Sequence, residues 1–452
     1  MSTPNPRPSS AVIVGLGRTG LSCARYLRAL GWKIAVTDTR AQPPELAGLR
    51  ALDPQIRVSA GGLDEKLLDD ALCVVASPGV SLSEPFFVEA RQRGLEIVGD
   101  IELFARAVDA PVAGITGTNG KSTVTTLVGR MAERAGLKVR VGGNLGEPAL
   151  DLLAASRGDA EPTQLYVLEL SSFQLEATHS LDLRTATVLN VSPDHLDRYP
   201  SVEAYAAAKA RIFARCDTAV INLDDPLVVA MPRPGQRTLS FSLRASLGAD
   251  YCVAERDGQW WLMRGTEALM PVSALRIKGL HNAANALAAL ALGEALQLPM
   301  QAMLAELTAF PGLPHRSQWV ADIRGVTYIN DSKGTNVGAT IAAVNGMSGP
   351  LILIAGGDGK NQDFAPLAQA FRGKVRHAVL IGRDARAIAR ALDGVCTLEL
   401  CVSLEEAVKA AARAAQPGDT VLLSPACASL DMFRDYTHRG AVFTHAVEEL
   451  AA

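Results

Sequence analysis

The chain has 452 residues, 48% hydrophobic and 20% charged, with 44 Lys and Arg against 47 Asp and Glu, seven cysteines and a net charge of -3. Its length suggests about three domains and its composition buries real cores, while the near-neutral balance argues against a nucleic-acid or anionic-membrane surface. The absence of a CxxC pair, of any apolar run of ~18 residues and of an apolar leader in the opening MSTPNPRPSS points to a reduced, cytoplasmic protein without disulfides, zinc ribbon or membrane span.

In chain order, short apolar β-branched runs predict strands at 11–14, 34–37, 73–76, 112–115, 167–170, 187–189, 351–355, 378–381 and 420–423. Ala- and Leu-rich helical stretches alternate with them, among them 21–30, 122–134, 202–215 and 301–309. Continuous rather than alternating apolar runs suit strands covered on both faces, so parallel α/β sheets are expected. Ligands then belong at the carboxyl edges of those strands. Residues 251–261 predict an antiparallel excursion turning at Asp257-Gly258. Breaks near 104–110 and at Phe310-Pro-Gly-Leu-Pro314 divide the chain into 1–105, 106–311 and 312–452.

Two glycine-rich loops follow strands. Gly15-Leu-Gly17-Arg18-Thr19-Gly20 precedes an amphipathic stretch, and Asp38 closes the next strand, near the spacing of a dinucleotide fingerprint. Such a loop offers backbone N–H groups at a helix N-terminus to a phosphate or diphosphate. The motif leaves open NAD, FAD or another nucleotide diphosphate; its bland reading is a tight turn without ligand. The second loop, Gly114-Ile-Thr-Gly117-Thr118-Asn119-Gly120-Lys121-Ser122-Thr123, opens the stretch 122–134. Lys121 would bridge the β- and γ-phosphates of ATP, and Ser122 or Thr123 would ligate Mg²⁺. It departs from the strict phosphate-loop pattern, because Ile115 stands where that pattern has glycine.

At this second loop the chain resembles the Mur ligase and folylpolyglutamate synthetase superfamily, whose members join a carboxylate to an amine through an acyl phosphate. The resemblance continues through Glu169-Leu-Ser-Ser-Phe-Gln174, Asn190-Val-Ser-Pro-Asp-His195-Leu-Asp197-Arg-Tyr199, Ala208-Lys209, His281-Asn282-Ala-Ala-Asn285, Pro314-His-Arg316, Asn330-Asp331-Ser-Lys333-Gly-Thr335-Asn336, Gly356-Gly-Asp-Gly-Lys360 and Ser424-Pro-Ala-Cys-Ala-Ser429. Within the family it is most similar to the members that add D-glutamate to UDP-N-acetylmuramoyl-L-alanine. The implied fold is α/β in three domains: a Rossmann-like first domain, a central ATPase-type domain with a parallel sheet, and a Rossmann-like last domain.

The resemblance implies the following roles. Gly117, Thr118, Asn119, Gly120, Lys121, Ser122, Thr123, Asn285, Arg316 and Asp331 bind ATP. Ser122, Glu169, His195 and Lys209, the last as a carbamate made with CO₂, hold two Mg²⁺ ions. Lys121, His195, Lys209, Arg316 and Lys333 serve the chemistry, with the third-domain residues closing over ATP. Asp194 and Asp197 read as local caps. Gly17, Arg18, Thr19, Thr39, Arg40, Gly79 and Asn144 hold the UDP substrate, Arg40 by a charged fork to phosphate. Thr335, Lys360, Ser429 and Tyr436 surround D-glutamate, Tyr436 standing where the family has Phe. Read singly, each of these is more often a surface or core side chain; Lys209 by composition is a surface lysine. A monomer serving peptidoglycan precursor synthesis, and with it cell shape and division, is expected. The competing readings are a Rossmann oxidoreductase, which leaves the second loop idle, a non-catalytic ATP-binding protein, and a neighbouring Mur-type or folylpolyglutamate-type ligase. The Asp-Asn-Pro-Arg signature of the diamino-acid-adding enzyme is absent.

Overall fold

Alternate residues of single strands feed separate cores, and this is why the apolar runs are continuous. In the computed structural model, which describes residues 9–277, 279–347 and 349–451, strand β1 (Ser10–Val14) sends Ala11 and Ile13 into one core and Val12 and Val14 into another. Most of the opening stretch read above as leaderless, residues 1–8, lies outside the described residues. β1 pairs in parallel with β2 (Lys33–Asp38) and β4 (Cys73–Ala76), flanked by β3 (Arg57–Ala60) and β5 (Glu96–Val98), in the order β3-β2-β1-β4-β5. The order reverses at β1, so the crevice between the exits of β1 and β4 is the place for a ligand.

The second sheet contains β6 (Val112–Thr116), β7 (Val139–Gly143), β8 (Leu165–Glu169), β9 (Leu183–Val188), β10 (Cys216–Asn222), β11 (Arg237–Ser242), β12 (Tyr251–Arg256), β13 (Gln259–Arg264) and β14 (Glu267–Pro271). Its order is β14-β13-β12-β11-β10-β9-β6-β8-β7, parallel except for the antiparallel meander β12-β13-β14. The turn joining β12 to β13 is Asp257-Gly258, both at positive φ (51° and 73°), as a two-residue hairpin of this twist requires. Six strands in the order β15-β16-β20-β17-β18-β19 make the third sheet: β15 (Gln318–Ile323), β16 (Val326–Asn330), β17 (Leu351–Gly356), β18 (Val375–Ile381), β19 (Thr397–Leu400) and β20 (Thr420–Leu423). β15 alone is antiparallel to its neighbour there.

The first two sheets share one core, in which Val98, Ile101 and Phe104 pack with Tyr166 and Leu168. Phe104 meets Tyr166 edge-on at 5.2 Å, so the expected break near 104–110 begins in packed chain, not in a loose linker. The clusters of the third sheet draw only on residues after 319, and that layer meets the middle one through the helix Val337–Gly346, which lies against the helix Leu280–Ala295, and through loops and polar side chains. Of the strands that sequence patterning passed over, β3, β7 and β19 lie at sheet edges and keep half-exposed positions, so they carry no continuous apolar run, whereas β10, β11 and β16 are interior strands whose runs are broken by polar residues such as Asp217, Ser240 and Thr327. The stretch 202–215 divides into a helix, Val202–Ala210, and a 3₁₀ turn, Arg211–Phe213.

Candidate active site

The second glycine loop leaves β6 and enters the helix Lys121–Arg134, whose start has no side-chain cap, so its first N–H groups are available to an anion. Gly117 and Gly120 adopt φ of 146° and 84°, and a Cβ on Gly120 would lie 2.4 Å from Asn285 Oδ1. The departure at Ile115 has a simple cause: this residue is a buried, paired member of β6, and the turn begins later, at Gly117. Lys121 Nζ folds back onto Gly117 O and Thr118 O at 2.9 and 2.8 Å. Burial lowers its pKa.

Glu169 ends β8 beside this loop and is 3% exposed. Its Oε2 accepts from Ser122 Oγ at 2.5 Å, and its Oε1 from Asn144 Nδ2 at 2.7 Å. Arg316, from the approach to the third sheet, donates to the same Ser122 Oγ at 2.5 Å. Lys209 is not a surface lysine: 1% exposed, it donates to Gly117 O at 2.9 Å with its ammonium 4.3 Å from the Tyr205 ring centroid. Burial pushes its pKa well below the ordinary lysine value. His195, at φ 55°, lies edge-on to Phe173 at 5.0 Å, and burial lowers its pKa also.

Asp194 is a local cap, its Oδ1 accepting from His195 N at 2.9 Å, but it also reaches beyond its own loop. It is 6% exposed and faces the third sheet, where its carboxylate meets Lys360 Nζ at 3.4 Å and Asn336 Nδ2 at 3.2 Å. Asn336 also reaches Asn119, at 3.3 Å. Neither Asp194 nor Asn336 was given a binding role from sequence; their place inside the Asp-His-Leu-Asp and Asp-Ser-Lys-Gly-Thr-Asn runs was the available signal. Lys333 lies over the Tyr436 ring at 3.9 Å, and burial lowers its pKa to about 8. Burial raises Asp331 to about 6 even though Ser424 Oγ and Ser317 N donate to it.

These groups line two adjoining cavities. One, of about 290 Å³, gathers Lys121, Ser122, Glu169, His195 and Lys209 with Arg316, Lys333, Thr335 and Lys360. The other, of about 310 Å³, is lined by Asn119, Gly120, Thr123, Asn285, Arg316 and Asp331. Ser429 and Tyr436 line neither: Ser429 is buried and Tyr436 sits behind Lys333. A third cleft lies at the crevice of the first sheet and takes in Gly17, Arg18, Thr19, Thr39, Arg40 and Gly79. Asn144 lines both this cleft and the Lys121 cavity, so the two adjoin at this side chain.

Arg40 departs from its expected geometry. Its Nε and Nη2 grip Asp38 at 2.9 and 2.6 Å, so the fork expected for phosphate is held by a carboxylate. Asp38 also accepts from Arg40 N and Leu16 N, which fills its four lone-pair sites and holds it down to about 2 despite desolvation. A carboxylate so committed has no acceptor left for a ribose hydroxyl, which removes the support of the oxidoreductase reading. Arg18, exposed at the rim, and the remaining N–H groups of Arg40 are the cations of this cleft.

Among the described residues no three His, Cys, Asp or Glu side chains form a metal cage. Mg²⁺ needs none, since it takes one or two carboxylates with phosphate oxygens and water. The hard oxygens of Ser122 and Glu169, already 2.5 Å apart at the phosphate loop, fit that demand. As an ammonium Lys209 has no lone pair for a cation; its buried, readily discharged nitrogen fits a lysine converted to a carbamate, which would supply the hard oxygens that Mg²⁺ takes.

Residues 9–99 match the Mur ligase MurD-like N-terminal domain, 115–293 the Mur ligase middle domain, and 315–427 the Mur ligase glutamate ligase domain. The chain belongs to the Mur ligase family. Among Mur ligases, it is 52% identical over 444 residues to the UDP-N-acetylmuramoylalanine–D-glutamate ligase of Nitrosococcus oceani, covering 98% of this chain and 97% of that one. It is 51% identical over 444 residues to the same-named ligase of Pseudomonas aeruginosa, at 97% and 98% coverage. Solved structures share the Mur ligase fold at lower identity. The pseudomurein peptide ligase type C of Methanothermus fervidus has a TM-score of 0.62 at 18% identity, covering 98% of this chain and all of that one. UDP-N-acetylmuramate-alanine ligase MurC of Thermotoga maritima has a TM-score of 0.61 at 18% identity, covering 98% and 99%.

Proposed function

We propose that this Mur ligase joins the carboxylate of UDP-N-acetylmuramoyl-L-alanine to the amine of D-glutamate while ATP becomes ADP and phosphate, a step of peptidoglycan precursor synthesis in the cytoplasm. The observation that carries the reading is the 51–52% identity, over nearly the whole of both chains, to ligases of that name. Residues 1–105 take the nucleotide sugar, 106–311 ATP and 312–452 D-glutamate, in a protein that acts as a monomer. No helix among the described residues is long and apolar enough to cross a membrane.

A free carboxylate resists amide formation in water, so it must first be activated. One carboxylate oxygen attacks the γ-phosphorus, the bond to ADP breaks, and an acyl phosphate forms. The D-glutamate nitrogen then attacks the acyl carbon, loses a proton, and the tetrahedral intermediate expels phosphate. Lys121 and the N–H groups that open its helix hold the β- and γ-phosphates, while Asn285 and Asp331 face the base and ribose. Arg316 and Lys333 approach from the third sheet to offset charge on the moving phosphoryl group, a preorganised electrostatic role. Their arrival from another layer means that closure completes the site. Mg²⁺, when bound, neutralises phosphate charge; Ser122 and Glu169 would hold the nucleotide-bound ion, and His195 with carbamylated Lys209 a second. Thr335 and Lys360 receive D-glutamate, with Ser429 and Tyr436 supporting from behind.

The test is phosphate release by the purified chain with UDP-N-acetylmuramoyl-L-alanine and a panel of amino acids. D-Glutamate alone should support turnover; turnover with a different amino acid in its place overturns the assignment. Two variants separate the sites. Arg40→Ala should raise the Michaelis constant for the nucleotide sugar about tenfold, the scale of one hydrogen bond to a charged group, and leave that for ATP within about twofold. An equal rise in both would remove UDP from the first sheet. Lys360→Met should raise the constant for D-glutamate by about 10- to 100-fold, from a charged contact of about 1.5–3 kcal/mol, with little change for ATP. A matched rise would indicate lost closure through the Asp194 pair instead.

A further inference from the structure

Arg439, on the C-terminal helix Tyr436–Ala451, is the bulkiest of the wholly buried side chains, at 0% exposure. Among the described residues it forms no ion pair, and its donors go to neutral oxygens. Nε donates to Ser332 Oγ at 3.0 Å, Nη2 to Ser332 O at 2.7 Å and Nη1 to Cys427 O at 3.1 Å. A guanidinium buried on neutral partners is costly, and an apolar side chain of the same volume often serves stability as well or better. What an apolar residue lacks is a rigid planar fork that reaches two segments at once.

The two segments are those that present the third sheet's working groups. Ser332 stands between Asp331 and Lys333, and its hydroxyl donates to Tyr436 O at 2.8 Å, beneath the ring that carries Lys333. Cys427 belongs to the exit of β20, which is laced to the loop carrying Lys360. Gly356 N donates to Pro425 O at 2.8 Å, and Asp358 and Ala428 exchange backbone bonds at 3.0 and 2.8 Å. Ser424 Oγ, on the same exit, donates to Asp331 Oδ2 at 2.8 Å.

We infer that Arg439 is a positioning residue that locks the Asp331–Lys333 segment to the β20 exit, so that Lys333 and Lys360 are offered in one fixed geometry to the phosphoryl group and to the amino acid. What those two lysines hold rests on the ligase reading above. Arg439 touches no substrate and acts only through the two loops.

The test uses the full chain, steady-state phosphate release and thermal unfolding. Arg439→Lys keeps charge but supplies a point donor that serves one loop at a time. Assayed well below its melting transition, it should lose at least tenfold in kcat and show raised Michaelis constants for both ATP and D-glutamate, with that for the nucleotide sugar within twofold. Ser332→Ala should give a smaller loss, and the double variant should fall little below Arg439→Lys, because both act through one contact. Arg439→Met carries the same comparison, and if it does not fold, the Lys and Ser332 variants suffice. Wild-type kcat and constants in a folded but less stable Arg439→Lys would overturn the inference, as would strictly additive effects in the double variant. Failure of the ligase reading shows separately, in the wild-type chain, as turnover that does not need D-glutamate; the variants are then compared on the amine that the wild type does use.

Discussion

Replacing Lys209 by alanine should lower turnover by roughly a thousandfold, the scale of losing one preorganised charge-stabilising group, and acetate should restore part of it. The expectation follows from where this side chain lies. It is almost without exposure, bonded to Gly117 O at 2.9 Å in the phosphate loop, and burial favours its neutral amine. A neutral amine attacks CO₂ and, on losing a proton, becomes a carbamate with two oxygens where a cation stood. Alanine leaves the space of that group, and a small carboxylate can return the oxygens. Lys209→Arg should stay inactive, because a guanidinium keeps its charge and takes up no CO₂. Removing CO₂ and bicarbonate from the wild type should lower its activity as well. Wild-type turnover in Lys209→Arg would show that a plain cation suffices there. The assignment of the ATP loop would stand, since Lys121 and Glu169 do not depend on it.

Lys121→Ala should lose about 10²- to 10³-fold in kcat with a raised Michaelis constant for ATP and an unchanged one for the nucleotide sugar. The lysine lines the cavity at the helix start and closes on Gly117 O and Thr118 O, so its removal strips both a phosphate contact and a brace of the loop. Circular dichroism and the melting transition separate the two effects. An intact fold with lost turnover supports phosphate binding, and unchanged turnover in a folded variant sinks the role.

Local chemistry was readable from the chain wherever backbone geometry dictates residue type. Gly117, Gly120 and the Asp257-Gly258 turn need glycine or a tolerant neighbour at positive φ, and they stand out in any sequence. Interior strands such as β1, β4, β17 and β20 were readable because both faces are buried. Long-range pairings were not. Asp194 meets Lys360 across 166 residues, and nothing near Asp194 distinguishes it from a cap. Arg40 follows Asp38 by two residues, yet whether its fork turns to phosphate or back to Asp38 depends on the packing of Leu16 and its loop. Arg439 looks like any polar position on a terminal helix until the third sheet closes around it. Lys209 was assigned by family likeness against what its composition suggested, and its burial is a property of the assembled layers.

The groups that should seize substrates already have occupants within the protein. Lys121 holds two carbonyls, Arg316 holds Ser122, Lys360 faces Asp194, and Arg40 grips Asp38. An anion arriving at Lys121, Arg316 or Lys360 competes with that internal partner, while at Arg40 it meets the N–H groups that Asp38 leaves free. At the first three, part of the attraction between cation and ligand therefore goes into loosening the older bond. The same competitors return as ADP, phosphate and the lengthened nucleotide sugar leave. An enzyme built this way gives up affinity for ease of exchange, and its cationic cleft does not become a trap for its own products.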